Sequence, residues 1–238
     1  MTWSIVARDA DGRLGVAIAS RFFAVGALCV HTRRGGGALA TQALMNPRYG
    51  DAGLALLAEG RTAAQTVAAL ALADPGRAQR QVHTIAARGD AAAFTGDACV
   101  PWCGHAFFTD FSVAGNMLAG PQVLQATAEA FVAARGRPLA ERLLVALATG
   151  EAAGGDRRGK QSAALRVHAD EDWPELDLRV DDHPEPVAEL QRHYEVSLQR
   201  FQPFVACLAG RNDPIGELDR DRIEARVAAF HAARRRPA

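Results

Sequence analysis

The segment "TWSIVARDADGRLGVAIAS" (residues 2–20) determines the class of fold. It contains two runs of apolar and β-branched residues, "WSIVAR" (residues 3–8) and "LGVAIAS" (residues 14–20), and the polar sequence "DADG" lies between them. Such runs predict strands, and Asp and Gly between them predict a tight turn. The chain is therefore expected to begin with a sheet.

Helices are predicted in two later blocks of the chain. Leu and Ala recur at helical spacing in residues 51–73 and 121–150. Thr62 is a suitable N-cap for the second helix of the first block, and "RGRP" interrupts the second block. A further amphipathic helix is predicted in "PEPVAELQRHYEVSLQRF" (residues 184–201).

Strands are predicted in the segments between these helices. Residues 80–116 and 161–180 are extended, "ALCVHT" (residues 27–32) is expected to be a strand, and "RRGGGALA" (residues 33–40) favours a hairpin. These glycines lack the Lys-Ser/Thr that a phosphate-binding loop requires. Alternating blocks of strand and helix favour a layered α+β architecture over a strict βαβ succession.

Composition limits the classes of function. Lys+Arg and Asp+Glu are both 27 in 238 residues, so net charge gives no reason to expect binding to nucleic acid or to an anionic membrane. No run approaches the roughly 18 apolar residues of a membrane span, and the N-terminus lacks the pattern of a signal peptide. We therefore expect a cytoplasmic protein whose partner is a small molecule.

The cysteines and histidines do not form a metal-binding pattern. "CVPWC" (residues 99–103) is one residue longer than C-x-x-C, and no second Cys/His pair follows at ligand spacing. The seven histidines show neither H-x-H nor H-x-x-x-H. We expect reduced thiols, no metal and no cofactor.

A charged loop lies between a predicted helix and a predicted strand, in "AAGGDRRGKQSAALRV" (residues 152–167). Two glycines can end the helix with positive φ. Asp156 is then close to Arg158 and Lys160, which suggests that it orients cations that bind an anionic ligand together with Gln161. The alternative is a structural loop in which Asp156 and an arginine join the helix end to the sheet. Asp181 and Asp182 are a further possible pairing for these arginines.

A second polar group lies at the predicted strand ends. It consists of Ser20, Arg21, Gln42, Asn46, Tyr49, Thr95 and Asn116. Apart from Arg21, these side chains form hydrogen bonds without carrying a charge, which suits recognition of an amide or a carboxylate. Each of them alone is also a common turn residue.

Several ordered segments resemble one protein family. They are "TWSIVARD", "GVAIASRFFAVG", "ATQA", "NPRYGDAGLALLAEG", "DPGRAQRQV", "GNMLAGPQVL", "AGGDRRGKQSAAL" and "DLRVDDHPEPVAELQR". From the N-terminus to about residue 195, the chain resembles the family of unknown function DUF1028. That resemblance implies a fold like that of the N-terminal nucleophile (Ntn) hydrolases, a four-layer αββα sandwich with two antiparallel sheets between helices.

The resemblance to the Ntn fold also suggests candidate catalytic residues. In an Ntn hydrolase the first residue of the first strand attacks a carbonyl group, and its own α-amino group acts as the base. Thr2 fits this role if Met1 is removed. Ser4 lies two residues later on the same face of the strand and is the alternative. The alternative is that both hydroxyls have only a structural role at a strand end.

These observations predict a cofactor-independent hydrolase that acts on a C–N bond of a small, anionic amide, ureido or enamine/imine compound. Thr2 or Ser4 would be the nucleophile or would activate water, and Asn116 would be a donor to an oxyanion or an amide. Asp156, in the charged loop, is the fourth candidate catalytic residue. The binding residues would be Ser20, Arg21, Gln42, Arg158, Lys160 and Gln161. The alternative is a non-catalytic module of the same fold that binds a metabolite or a protein.

The expected organisation is an αββα domain over residues 1–200, followed by a helical extension and basic tail over residues 201–238. The segments "VAALALA" (residues 67–73) and "RLLVALATG" (residues 142–150) are rich in Ala and Leu and offer more apolar surface than one sheet face must cover. We therefore expect a homodimer.

Overall fold

The computed structural model describes residues 2–234 and divides into two compact units, residues 1–190 and residues 191–238. The boundary lies inside the helix that was predicted over residues 184–201. The division at residue 200 expected from the sequence stays a prediction.

The first unit contains two antiparallel sheets. Sheet A has the strand order β10-β9-β2-β1-β8-β7, and sheet B has the order β3-β4-β5-β6. Sheet A comprises β1 (Thr2–Arg8), β2 (Leu14–Ser20), β7 (Gly104–Phe107), β8 (Phe111–Asn116), β9 (Ser162–His168) and β10 (Leu176–Val180). Sheet B comprises β3 (Val30–Arg33), β4 (Gly37–Ala43), β5 (Arg80–Ala86) and β6 (Ala91–Thr95).

Helices cover the outer face of each sheet. Against sheet B pack α2 (Arg48–Ala58) and α3 (Ala63–Ala73), and against sheet A pack α4 (Gln122–Ala133) and α5 (Leu139–Ala152). The inner faces of the sheets contact each other through β1 and β2 on one side and β4 and β5 on the other. The fold is therefore an α+β, four-layer αββα sandwich, and this prediction is confirmed.

Local signals explain where the helices begin and how closely they pack. Thr62 accepts a hydrogen bond from the backbone N–H of Gln65, and the Gln65 side chain accepts one from the Thr62 N–H, which forms a capping box. Gly15 on β2 allows α5 to approach, because a Cβ there would lie 2.5 Å from Leu143 Cδ1. The predicted Thr62 cap is confirmed.

The layer between the sheets changes from apolar to polar along the strands. At one end Val6, Val16, Ala38 and Ile85 belong to a fully buried apolar cluster. Toward the other end, the same faces of β1, β2, β4, β5 and β8 carry buried polar residues: Thr2, Ser4, Ser20, Gln42, Gln81, His83, Ser112 and Asn116. Buried polar groups require partners, so this end of the layer is where a functional site is expected.

The segment predicted as a strand at residues 27–32 differs in the structure. A short helix, α1 (Val25–Cys29), precedes β3. Val25 and Cys29 are four residues apart, so one turn of helix buries both of them in the apolar cluster. Gly26 is required because a Cβ there would lie 2.4 Å from the Ala164 Cβ.

The second unit is helical. The helix α6 (Pro186–Gln199) crosses the boundary, and α7 (Phe201–Val205) and α8 (Arg220–Arg234) follow. Arg200 forms an exposed bidentate ion pair with Glu224 of α8. Within the predicted helical extension and basic tail, α8 extends through Arg234, and residues 235–238 lie outside the described residues. Among residues 2–234, none of the helices combines the length and apolarity that crossing a membrane requires.

Candidate functional site

A cleft of about 580 Å³ opens at the polar end of the layer between the sheets. Its volume lies within the range of small-molecule sites. Four of its polar lining residues are Thr2, Ser20, Asn116 and Arg158. The other residues in its wall are Phe22, Ala43, Leu44, Met45, Gln79, Arg80, Ala98, Cys99, Val100 and Met117.

Thr2 is positioned by its neighbours in sheet A. It lies opposite Ser20 of β2 on one side and opposite Asn116 of β8 on the other. The Thr2 Oγ1 and Ser20 Oγ atoms are 3.1 Å apart. The antiparallel register therefore brings three predicted site residues, from distant parts of the sequence, to the floor of one cleft.

Two wall residues have a backbone conformation that is uncommon for their type. Ala43, at the end of β4, has φ 68°, and Met117, directly after β8, has φ 53°. Left-handed conformations at non-glycine residues cost about 1 kcal/mol or more and concentrate at functional sites. Both occur where a sheet ends at the cleft.

Gln81 organises the hydrogen bonds beneath the cleft. Its Nε2 donates to the carbonyl oxygens of Gly104 (3.0 Å) and Gly115 (2.9 Å) and to Thr95 Oγ1 (2.8 Å). Carbonyl oxygens only accept, so the orientation of this amide is fixed and Oε1 points the other way. That oxygen accepts from Asn116 Nδ2 (3.2 Å) and from Gln42 Nε2 (2.7 Å).

The same chain of orientations fixes Ser4 and His83. Because Gln42 gives its Nε2 to Gln81, its Oε1 faces Ser4 and accepts the Ser4 hydroxyl hydrogen at 2.6 Å. The Ser4 hydroxyl oxygen must then accept a hydrogen bond from His83 Nε2, at 2.7 Å. The other ring nitrogen, His83 Nδ1, accepts from Ser112 Oγ at 2.8 Å. Burial lowers the pKa of His83 to about 3, so the ring is neutral at physiological pH.

Asp156 and Arg158 form the loop side of the cleft. The Asp156 carboxylate accepts from the backbone N–H groups of Arg21 and Arg158, each at 2.8 Å, and pairs with the Arg158 guanidinium at 3.3 Å. The Asp156 side chain is 1% exposed and that of Arg158 is 40% exposed. The Asp156 carboxylate therefore lies behind the wall of the cleft, and the Arg158 side chain forms part of that wall.

Lys160 and Gln161 bind other parts of the protein. Lys160 Nζ pairs with Glu185 at 2.5 Å and with Glu151 at 3.1 Å, and these contacts raise the pKa of Lys160. Gln161 Nε2 donates to Asp182 at 3.1 Å. Most of the charge in this loop is thus neutralised by neighbouring acidic groups.

A second Arg–Asp pair lies on the sheet-B side of the cleft, where Arg80 and Leu44 are lining residues. Arg80 Nε contacts Asp74 Oδ2 at 3.1 Å, and Arg80 also donates to the carbonyl oxygen of Leu44. Asp74 further accepts from Asn46 Nδ2 (3.0 Å), Tyr49 OH (2.8 Å) and the backbone N–H of Gly76 (2.7 Å). The hydrogen bond from Asn46 and these further donors hold the pKa of Asp74 far below its usual range.

The structure brings some of the predicted site residues together and not others. Thr2, Ser20, Asn116 and Arg158 line the cleft, and Asp156 lies directly behind Arg158. The other predicted residues are not among the lining residues: Ser4 and Gln42 belong to the buried network, and Arg21, Lys160 and Gln161 form contacts within the protein. Asn46 and Tyr49 bind Asp74, and Asp181 pairs with Arg179 at 2.7 Å rather than with the loop arginines.

Sequence reasoning missed Gln81, His83 and Arg80. All three lie on β5, in "RQVHTIA" (residues 80–86). Gln81 and His83 are two residues apart, so both side chains face sheet A. The available signal was that Gln81 and His83 alternate with the apolar Val82 on a predicted strand.

The cysteines are free thiols in the structure. Cys99 lines the cleft, and burial raises its pKa and that of Cys103. Cys29 is buried in the apolar cluster, where its pKa is raised to about 12. Within residues 2–234, no three His, Cys, Asp or Glu side chains are grouped as metal ligands.

Comparisons with known proteins agree with the resemblance seen in the sequence. The protein SPO2555 from Silicibacter pomeroyi, a DUF1028 protein, is 32% identical to this chain with a TM-score of 0.84, over 92% of this chain and 99% of that one. Anbu (ancestral beta-subunit) from Yersinia bercovieri aligns at 14% identity with a TM-score of 0.41, over 82% of this chain and 94% of that one. None of the curated proteins matches. Since the model described as "Family of unknown function (DUF1028)" matches residues 2–190, the chain belongs to that family.

Proposed function

We propose that this protein is a cofactor-independent hydrolase that cleaves the C–N bond of a small anionic amide or ureido compound in the cleft, with Thr2 as the nucleophile. One observation carries the proposal: Thr2, at the start of β1, lines the cleft beside Asn116 and Arg158. The cytoplasmic location and the homodimer expected from the sequence remain part of the proposal.

The nucleophile is assigned to Thr2 rather than Ser4 on two grounds. Ser4 is fully buried and is not among the residues that line the cleft. The His83 nitrogen that faces Ser4 carries a hydrogen, so it cannot accept the Ser4 proton. Thr2 has an alternative base, its own α-amino group, once Met1 is removed.

The proposed reaction follows from this placement. Thr2 Oγ1 attacks the carbonyl carbon while its proton passes to the α-amine, and the C–N bond breaks as that proton transfers to the leaving nitrogen. Water then hydrolyses the resulting ester and regenerates the hydroxyl. Asn116 Nδ2 carries two hydrogens, of which Gln81 Oε1 accepts one, and the second is assigned to the developing oxyanion.

This mechanism selects among the substrate classes expected from the sequence. Amide and ureido groups offer Thr2 a carbonyl carbon, whereas an enamine or imine does not. The apolar wall, including Phe22, Met45 and Val100, is suited to a substrate with methylene groups beside its charge.

The test is a screen of the purified protein against small anionic amides, ureido acids and enamines, with every active compound repeated on Thr2→Ala and Ser4→Ala. We expect Thr2→Ala to lower kcat at least about 10³-fold, because the nucleophile is removed. Intact-mass measurement of the active protein should show the loss of Met1. Retention of Met1 in fully active protein, or activity in Thr2→Ala, contradicts the assignment.

The same screen addresses the alternative, a non-catalytic module that binds a metabolite. In that case ligands would bind the wild type and Thr2→Ala with similar Kd and remain intact. If every amide and ureido compound that binds stays intact, the proposed hydrolase activity is overturned.

A further inference from the structure

The cleft carries an arginine at each of two walls, and the two are held in the same way. Arg158 pairs with Asp156, and Arg80 pairs with Asp74. In both pairs the carboxylate is the buried partner, at 1% and 10% side-chain exposure, and the guanidinium is the more exposed one, at 40% and 24%. Since both arginines line the cleft, the more accessible member of each pair is the cation.

Each carboxylate is also satisfied by donors other than its arginine. Asp156 accepts two backbone N–H groups, and Asp74 accepts from Asn46, Tyr49 and the N–H of Gly76. These bonds anchor the carboxylates to the fold. Each guanidinium is thereby oriented by a fixed group, which reduces the entropy that a ligand must overcome to bind it.

The two arginines come from different sides of the cleft. Asp156, which holds Arg158, binds the backbone directly after β2 of sheet A. Arg80 lies on β5 of sheet B, and its guanidinium binds Asp74 and the carbonyl oxygen of Leu44, directly after β4. A ligand in the cleft beside Thr2 can therefore meet one cation from each sheet.

We propose that the substrate of this cleft is a dianionic amide, with one carboxylate on the acyl side of the scissile C–N bond and a second on the amine side. One carboxylate binds Arg158 and the other binds Arg80, and the bond to be cleaved lies at Thr2. This inference rests on the proposed function, because that function places the reacting carbonyl at Thr2. Guanidinium groups bind carboxylates through two parallel hydrogen bonds, which suits this recognition.

Binding to Thr2→Ala, measured by calorimetry at low ionic strength, separates recognition from turnover. The ligands are N-succinylglycine, with two carboxylates; N-acetylglycine, with one on the amine side; N-methylsuccinamate, with one on the acyl side; and neutral N-methylacetamide. We expect N-succinylglycine to bind at least about 10-fold more tightly than either monoanion, because it makes one more charge-assisted contact. Equal affinity for the dianion and the monoanions overturns the proposal.

Arginine variants in the same background locate the two subsites. Arg80→Gln and Arg158→Gln are each expected to weaken N-succinylglycine binding about 10-fold, and each should affect a different monoanion. Arg77→Gln is the control, since Arg77 is exposed, lies three residues before Arg80 and does not line the cleft. If both variants weaken the same monoanion, or if Arg77→Gln has the same effect, the proposal is overturned.

Two safeguards keep the outcomes separate. Thermal melts check that the variants fold, and if Arg80→Gln does not, the ligand series on Thr2→Ala alone decides. A preference for the dianion without hydrolysis by the wild type contradicts the proposed function and leaves this recognition intact. Hydrolysis of neutral amides without that preference contradicts only this inference.

Discussion

His83 lies between the sheets with both ring nitrogens bound, one to Ser4 and one to Ser112. Its pKa is lowered to about 3 by burial, from an ordinary value of 6.5. Between these values the unfolded chain binds a proton at His83 that the folded chain does not. The stability associated with neutral His83 is therefore complete above pH 6.5 and is lost as pH falls toward 3.

We expect this single histidine to change the free energy of unfolding by up to about 1.4 kcal/mol per pH unit in that window. In urea titrations between pH 7 and pH 4, the difference in stability between wild type and His83→Gln should narrow as pH falls. Val82→Ala, on the same strand, has no titrating group at the altered position, so its difference from wild type should stay constant. A constant difference for His83→Gln would contradict the assignment of a neutral, proton-excluding His83.

The loop between α5 and β9 is the element whose role the structure changes most. The sequence suggested that Asp156 mainly orients ligand-binding cations, with a structural staple as the alternative. In the structure the buried carboxylate binds the backbone after β2 and the backbone of its own loop. Asp156 therefore joins the loop to the sheet, while Arg158 lines the cleft.

Substitutions at these two positions should separate stability from binding. We expect Asp156→Ala to lower the free energy of unfolding by roughly 3 kcal/mol, because it leaves two backbone N–H groups and a guanidinium without their acceptor. Arg158→Ala should change stability by less than about 1 kcal/mol, because its side chain is 40% exposed. Urea denaturation measures both, and equal losses in the two variants would contradict this division of roles.

At the scale of the whole molecule, the homodimer expected from the Ala- and Leu-rich segments stays a prediction. The structure buries Leu143, Leu144 and Leu147 of α5, so that segment is largely covered within one chain. By contrast, Leu72 on α3 is 82% exposed. Phe23, between β2 and α1, and Phe107, on β7, are exposed as well. Exposed apolar side chains favour association where they form one contiguous patch, and the dimer prediction requires such a patch.

We expect light scattering after size-exclusion chromatography to give twice the 25.3 kDa chain mass at micromolar concentration. Dilution over two decades serves as the control, because an obligate dimer keeps its mass whereas a weak contact loses it. A mass of one chain throughout would contradict the dimer.

The sequence by itself determined the parts of this protein that depend on local interactions. The helices within residues 51–73 and 121–150 follow from apolar spacing, and the Thr62 cap follows from side-chain chemistry within one turn. The positive φ of Gly154 and Gly155 after α5 follows from the absence of a Cβ. At residues 27–32, apolar and β-branched content alone did not distinguish a strand from one turn of helix followed by a strand.

Only the tertiary structure decided the composition of the cleft. Thr2, Ser20 and Asn116 meet through strand register, and Arg80 joins them because sheet B stacks on sheet A. Ser4 shares a strand face with Thr2, yet it lies one pleat deeper and is enclosed. Such placements depend on contacts between residues far apart in sequence, and a pattern read within one segment cannot contain them.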